Sequence, residues 1–411
     1  MTQSEGAISD VIHAPLALVK FYLSSPGGLL RLLQAQHAKK LPPRSATMAE
    51  LFSLREDGLD GQVVTYASIQ AVRKGAPVNS SRRLLTRLKN DCERLATYAM
   101  PPKRIVVSGA NGLIGSTVLP LLVAGGHEVT RLVRVKPSAD VAAVDSMGTK
   151  SLFWQPTGQG ASALDPAALE VTDAIVHLAG EPVSNGRWTA KKLAAIRDSR
   201  VESTKLIAKT LQQMKSPPKV LVCASGVHAY GDRGDEELTE SSDIGSGYLA
   251  EVVRDWEAAA SAARDLGVRV VFIRWGLVVG RSGGAVATML PLFRLGLGAI
   301  PSPGTQWWPW VSIDDAIGQV MCALARSDVS GAINGVSPQP ATANEFCKVL
   351  ASSLDRPLLA RLPRWMLKAV AKGQEEVICT STRAMPAKLR HVNFHWIHES
   401  LEDALKWELG T

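Results

Sequence analysis

The chain has 411 residues, 46% of them apolar and 20% charged, which suits a globular protein of two or three domains or one large α/β domain with additions. Its formal charge of +8 and pI near 9.3 point to anionic partners, yet Lys and Arg are spread along the chain with no dense block interleaved with aromatics. That argues against nucleic acid and for anionic small ligands plus a solvated basic surface.

The cysteines Cys92, Cys223, Cys322, Cys347 and Cys379 are odd in number and none is spaced as a metal ligand. A reducing compartment follows, the cytoplasm or alternatively an organelle matrix or stroma. No apolar run is long enough to span a bilayer, and Glu5 and Asp10 interrupt any signal-peptide pattern. The acid-free stretch Val11 to Ala49, with Lys20, Arg31, Lys39, Lys40 and Arg44, leaves open a targeting or membrane-surface role.

Residues 1–100 read as an N-terminal, mainly helical extension, open to a protein partner or an oligomer contact. The stretch Ser81 to Tyr98 is amphipathic, with Leu84, Leu85, Leu88 and Leu95 on one side, and Pro101-Pro102 stops it. From Lys103 strands and helices alternate. Strands are expected at 104–108, 128–133, 173–178, 219–224 and 268–274, with helices at 113–124, 189–214 and 248–266. Apolar strands joined by helical crossovers make a doubly wound parallel sheet of Rossmann type over 103–330. After Gly280 the rhythm breaks into Pro/Gly-rich loops and shorter helices. A smaller C-terminal lobe is expected over 331–411, with 281–312 contributing to the substrate side.

The turn Ser108-Gly109-Ala110-Asn111-Gly112-Leu113-Ile114-Gly115 leaves a strand and opens a helix. Gly109 permits the tight turn, Gly112 lets the backbone approach a pyrophosphate, and Gly115 lets the helix pack close. The free N–H groups and the dipole of the helix start favour phosphate. At the end of the second strand NAD binders carry a carboxylate for the ribose 2′-hydroxyl. Here the chain reads Arg131-Leu132-Val133-Arg134, with Lys136 beyond, and an Arg there suits a 2′-phosphate. NADP(H) is therefore favoured over NAD(H), with a small molecule as substrate.

The Gly-x-x-Gly-x-x-Gly spacing resembles the extended and atypical short-chain dehydrogenases/reductases. From Lys103 to about Leu405 the chain resembles their epimerase family, the NAD-dependent epimerase/dehydratase-like proteins with a family-specific C-terminal domain. The segments that carry the resemblance are His177-Leu178-Ala179-Gly180-Glu181-Pro182, Ser199-Arg200-Val201-Glu202-Ser203-Thr204 and Tyr230-Gly231-Asp232-Arg233-Gly234. Further ones are Asp255-Trp256-Glu257, Gly283-Gly284-Ala285 and Asn334-Gly335-Val336-Ser337-Pro338. The resemblance implies that Leu178, Ala179 and Gly180 pass under the adenine ribose and that Ser225 sits near the nicotinamide.

A nicotinamide enzyme needs a group that exchanges the hydroxyl proton as hydride moves. The wider superfamily uses Ser with Tyr-x-x-x-Lys. Tyr248 opens the helix after the Ser225 strand, but position 252 is Val, which cannot lower a phenol pKa by charge. Three readings stand: Tyr248 acts alone or through water; His228, Tyr230 or an acid of the Asp232–Glu240 loop serves instead; or turnover is weak or absent. In the last, the chain is a nucleotide-binding regulatory or scaffold protein. His391, His395 and His398 have no acid or Cys set to complete a zinc site, so no metal is expected. Trp307, Trp308 and Trp310 read as packing before cavity lining. Asp314-Asp315 reads as a helix cap, and Arg187 and Arg200 as phosphate or surface-pairing residues.

Overall fold

A computed structural model of the chain describes residues 90–91, 93–134, 148–156, 164–184, 186–359, 361–363, 365–367 and 373–410. Most of the expected N-terminal extension, together with Cys92 and Lys136, lies outside the described residues. The chain forms two compact units. In one, residues 93–97 are helical, ending ahead of Pro101-Pro102, and Arg94 pairs with Asp91 at 2.8 Å; residues 81–89 of the stretch expected to be amphipathic lie outside the described residues. The other unit comprises Met100–Leu119 and His127–Leu409.

The second unit is built on a seven-stranded sheet. Its strands are β1 (Arg104–Ser108), β2 (Glu128–Val133), β3 (Lys150–Phe153), β4 (Ala174–His177), β5 (Val220–Gly226), β6 (Arg269–Trp275) and β7 (Gly331–Gly335). They lie in the order β7-β6-β5-β4-β1-β2-β3, and every neighbouring pair is parallel. The order reverses between β1 and β4, which makes a crevice at their carboxyl ends where ligands of such sheets bind. The apolar runs Ile105–Val107, Ala174–Val176, Val220–Cys223 and Val270–Ile273 are buried throughout, as strands covered on both faces must be.

The main helices are α1 (Leu113–Ala124), α2 (Ala190–Leu211), α3 (Tyr248–Ala258), α4 (Gly284–Arg294), α5 (Ile313–Ala325), α6 (Ala343–Ser353) and α7 (Leu401–Leu409). Thr189 caps α2, its hydroxyl accepting from the Lys192 N–H at 3.2 Å. The single helix expected over 248–266 is instead α3 followed by the short helix Ser261–Asp265. The break aims Ala260 and Ala263 into the core beneath the sheet, with Ile207, Leu211, Leu221 and Phe272.

The sheet also runs further than expected. Beyond Gly280, α5 returns the chain and β7 pairs with β6 from Gly331–Val271 to Gly335–Trp275. Gly335 is required there, because a Cβ would lie 2.5 Å from Cδ1 of Trp275. The remaining residues form a lobe with its own core, in which Val286, Leu290 and Phe293 of α4 meet Trp308, Trp310, Phe346, Leu350, Leu401 and Leu405. The three tryptophans serve packing: Nε1 of Trp307 donates to Asp235, that of Trp308 to the Ile378 carbonyl, and that of Trp310 to the Gln339 carbonyl.

Asp314 and Asp315 are more than a cap. Ser312 is the N-cap of α5, and both carboxylates are buried. Asp315 accepts from the main-chain N–H of Ile397 at 2.7 Å and of His398 at 3.1 Å, while Asp314 accepts from Nε1 of Trp407 at 2.7 Å. They clamp the C-terminal segment onto the start of α5, and burial pushes the Asp315 carboxyl up from its ordinary value.

Candidate functional site

The crevice at the β1–β4 reversal is fixed from both sides. Gly109 has φ +69, and a Cβ on it would lie 2.6 Å from the Leu178 carbonyl carbon and 2.7 Å from the Ala179 nitrogen. No other residue lets the turn press this closely on the end of β4. A Cβ on Gly115 would lie 2.2 Å from the Gly109 carbonyl oxygen, so this glycine lets α1 pack on the turn itself. Gly112 differs: a Cβ there would meet only the Gly109 oxygen, at 3.3 Å, and Asn111 and Gly112 are exposed.

At the helix start the N–H groups of Leu113 and Ile114 have no hydrogen-bond partner among the described residues. The Leu113 side chain turns away and packs on Gly280, Gly283 and Gly284, so this residue offers its backbone to the crevice. An open backbone cradle with free N–H groups at a helix N-terminus fits a pyrophosphate.

Beneath the cradle lies a buried relay whose polarity can be deduced. The Ser203 hydroxyl donates to the Ser199 carbonyl at 2.6 Å, so its oxygen is left to accept from Nε2 of His177 at 3.0 Å. Nδ1 of His177 is then bare and accepts the Ser108 hydroxyl proton at 2.6 Å. The Ser108 oxygen in turn accepts from the N–H groups of Leu178 and Ala179, at 3.2 and 3.3 Å. The relay therefore requires neutral His177, and burial, helped by the nearby Arg200 charge, pushes its pKa down to about 3. Leu178 and Ala179 thus lie side by side with the glycine turn, and Gly180 follows them against Arg200.

Arg134 ends β2 exposed, with no hydrogen-bond or ion-pair partner among the described residues, whereas Arg131 donates to Ser151 at 3.1 Å. No carboxylate occupies the end of the second strand.

Ser225 and Tyr248 are not joined. The Ser225 hydroxyl donates to Oε1 of Glu257 at 2.7 Å. Glu257 is gripped by Arg274, Nε to Oε1 and Nη2 to Oε2 both at 2.8 Å, and Nη1 of Arg274 donates to the Tyr230 hydroxyl at 3.1 Å. Tyr230 donates to Asn334 at 2.7 Å. The Tyr248 hydroxyl donates to the Leu193 carbonyl of α2 at 2.5 Å, and its ring meets Trp188 edge-on. Burial raises the Tyr248 pKa above its ordinary value, and Val252, one turn on, is buried and apolar.

Of the other acid/base candidates, Tyr230 and the acids of the Asp232–Glu240 loop are engaged elsewhere. Tyr230 is fully buried and burial raises its pKa, whereas burial pushes His228 down to about 4. In the Asp232–Glu240 loop every carboxylate has a partner. Asp232 accepts from Ser381 N–H, Asp235 from Trp307, Glu236 from Arg233, Glu237 from Arg383, and Glu240 from the N–H groups of Asn334 and Lys388. The loop clasps the C-terminal lobe. Among the described residues no group of His, Cys, Asp and Glu could hold a metal ion; the His398 ring instead lies tilted against Trp407, and no helix is long and apolar enough to cross a membrane.

Sequence reasoning passed over the Glu257–Arg274 pair. Its signal was an arginine closing the otherwise apolar run Val270–Ile273, a charge that burial obliges to find a partner. Arg200 was noted, but as a phosphate or surface residue. It is largely buried, its Nη1 donating to the carbonyls of Glu181 and Ile196 at 2.9 Å each.

The strand order, the glycine turn and the crevice define a Rossmann-type dinucleotide-binding fold. The chain belongs to the NAD-dependent epimerase/dehydratase family, which it matches over residues 105–334, and it matches a C-terminal domain of unknown function, DUF1731, over 362–408. It is 35% identical over 307 residues to the human epimerase family protein SDR39U1, spanning 74% of this chain and 98% of that one. The crystal structure of human SDR39U1 (isoform 2) with NADPH superimposes with a TM-score of 0.63 at 32% identity, covering 74% of this chain and 98% of that one. A nucleoside-diphosphate sugar epimerase from Corynebacterium glutamicum superimposes with a TM-score of 0.64 at 32% identity, covering 80% of this chain and 63% of that one.

Proposed function

We propose that the chain binds NADP(H) and uses it as an oxidoreductase or epimerase-like enzyme on a small hydroxylated or carbonyl substrate. The observation that carries this reading is the turn in which Gly109 and Gly115 are held by backbone contact while Gly112 and the N–H groups of Leu113 and Ile114 stay open. Gly109, Asn111, Gly112, Leu113, Ile114 and Gly115 would receive the pyrophosphate, and Leu178, Ala179 and Gly180 would underlie the adenine ribose. Arg134 would grip the 2′-phosphate. The NADPH of the human relative's structure supports the choice of NADP(H).

When bound, the cofactor supplies or accepts hydride. Tyr248 would exchange the substrate proton, which requires its hydroxyl to exchange the Leu193 carbonyl for substrate. Ser225, its proton held by Glu257, would present its oxygen as an acceptor. A second reading, a nucleotide-binding regulatory protein without turnover, is favoured by the Tyr248–Leu193 bond and by Val252.

The test is titration with NADPH and NADH, in the wild type and in Arg134→Ala. Loss of a charge-assisted phosphate contact should weaken NADPH binding about tenfold or more and leave NADH unchanged. Equal affinity for both cofactors, unmoved by the substitution, would rule out the 2′-phosphate assignment.

A further inference from the structure

The C-terminal lobe leaves large apolar side chains in solvent, in one place. Of the seven large hydrophobic residues exposed among the described residues, five fall there: Leu292, Leu295, Leu297, Leu359 and Trp365. Leu295 is 72% exposed and Trp365 71%, so neither serves the core. Backbone bonds gather the segments that carry them. The Leu297 N–H donates to the Leu292 carbonyl at 2.9 Å, the Leu359 N–H to the Gly298 carbonyl at 2.8 Å, and the Leu362 N–H to the Ile300 carbonyl at 2.8 Å. Gly296 faces the Pro357 ring, which a Cβ would meet at 3.3 Å. The end of α4 and residues 357–362 thus form one ribbon, and Trp365 follows it in the turn closed by the Leu367–Pro363 bond. Clustered exposure of this kind marks a surface that something covers.

The charge of the ribbon says what covers it. Residues 282–313 and 356–374 contain no Asp or Glu. Arg294, Arg356 and Arg361 lie exposed among the leucines, and none has an ion-pair partner among the described residues. Nε of Arg356 donates to the Arg294 carbonyl at 2.8 Å, which ties the two arginine positions together. Asp355, exposed just ahead of the second stretch, leaves the balance positive. In sequence that stretch adds Arg364, Lys368 and Lys372, which lie outside the described residues.

A second copy of the chain is a poor occupant. A two-fold contact sets the same patch against itself, which would bring the three arginines of one copy onto those of the other with few carboxylates to pair them. Leucines and a tryptophan flanked by arginines, without acids, instead match the boundary of an anionic bilayer. The apolar side chains enter among the acyl chains, the tryptophan sits at headgroup level, and the guanidinium groups meet lipid phosphates in paired N–H bonds.

We propose that this face of the C-terminal lobe seats the protein on an anionic lipid bilayer, with Leu292, Leu295, Leu297, Leu359 and Trp365 at the acyl boundary and the arginines on the phosphates. The contact is peripheral, made by side chains of the ribbon and not by a spanning helix. It is independent of the NADP(H) reading above, since none of these residues belongs to the glycine turn or the β1–β4 crevice.

The experiment is flotation of the full chain with vesicles of phosphatidylcholine alone and of equal parts phosphatidylcholine and phosphatidylglycerol. Wild type is compared with Leu295→Ser/Trp365→Ser and Arg294→Gln/Arg361→Gln, with melting curves to verify the fold and sedimentation velocity to give the oligomeric state. An arginine near an anionic surface contributes about fivefold in affinity, so the Gln variant should bind the mixed vesicles about twentyfold more weakly. The Ser variant should lose about tenfold or more, through the apolar area it no longer buries. Wild type should prefer the mixed vesicles at least about tenfold, and added salt should weaken that preference. Wild type that floats with neither vesicle, or equally with both, overturns the proposal without recourse to a variant. Binding unmoved in either folded variant places the contact elsewhere on the chain, the basic stretch Val11 to Ala49 included, and also overturns it. A wild-type dimer that the Ser variant dissolves, with no vesicle binding, assigns the face to a second copy and overturns it as well.

Discussion

Replacing Arg274 by methionine should destabilise the protein far more than replacing the whole ion pair. The Arg274 side chain is 6% exposed and that of Glu257 12%, and the two share two parallel hydrogen bonds of 2.8 Å. Without the guanidinium, Glu257 keeps only the Ser225 hydroxyl, and Tyr230 loses a donor. Breaking a buried pair by removing one partner costs about 3–5 kcal/mol, because the other charge stays buried and unpaired. For a unit of this size that corresponds to a fall in Tm of about 6–15 °C. The double variant Arg274→Met/Glu257→Leu removes the orphaned carboxylate and should recover at least half of the loss. Urea denaturation followed by tryptophan fluorescence measures all three proteins. An Arg274→Met variant within about 1 kcal/mol of wild type, or a double variant less stable than Arg274→Met, would refute the reasoning.

Two further outcomes follow from the relay and the turn. His177 has a folded pKa of about 3, below its unfolded value of 6.5, so its contribution to stability is full above pH 6.5 and is lost as pH falls toward 3. The unfolding free energy from urea denaturation should drop by about 1.4 kcal/mol per pH unit for this histidine below 6.5, and His177→Gln should flatten that slope; a slope unchanged by the substitution contradicts the relay. Gly115→Ala should cost at least about 2 kcal/mol, since its Cβ would lie 2.2 Å from the Gly109 carbonyl oxygen, and a thermal melt equal to wild type would contradict the packing described.

The turn and the first two strands were legible because their signals are local, whereas β3 (Lys150–Phe153), short and opened by a lysine, was not expected. Gly109, Gly112 and Gly115 stand at fixed spacing between an apolar run and a helix, and β1, β2 and α1 begin and end where the periodicity changes. The seventh strand was not legible, since Gly331-Ala332-Ile333-Asn334-Gly335 is short and barely apolar, and only pairing with β6 makes it a strand. Tyr248 and Ser225 could be placed on α3 and β5 from sequence. What holds their protons could not, because Leu193 and Glu257 are remote along the chain and join them only when α2 and α3 pack. The same holds for Asp314 and Asp315, whose cap-like pattern conceals partners at Ile397, His398 and Trp407. Arg200 sits in a motif that resembles its family, yet its packing against Gly180 and Trp256 emerges only in the fold.

Gly112 separates folding from cofactor binding more cleanly than its neighbours, because its φ is not in the left-handed region and a Cβ would press only on the Gly109 oxygen, at 3.3 Å. Titration of NADPH into wild type and Gly112→Ala, with melting curves of both, is the most direct measurement. A pyrophosphate approaching the backbone here predicts saturable NADPH binding to wild type, weakened about tenfold or more in the variant, with melting temperatures of the free proteins within a few degrees. Equal NADPH affinity in the two proteins, or no binding to either, would contradict the account.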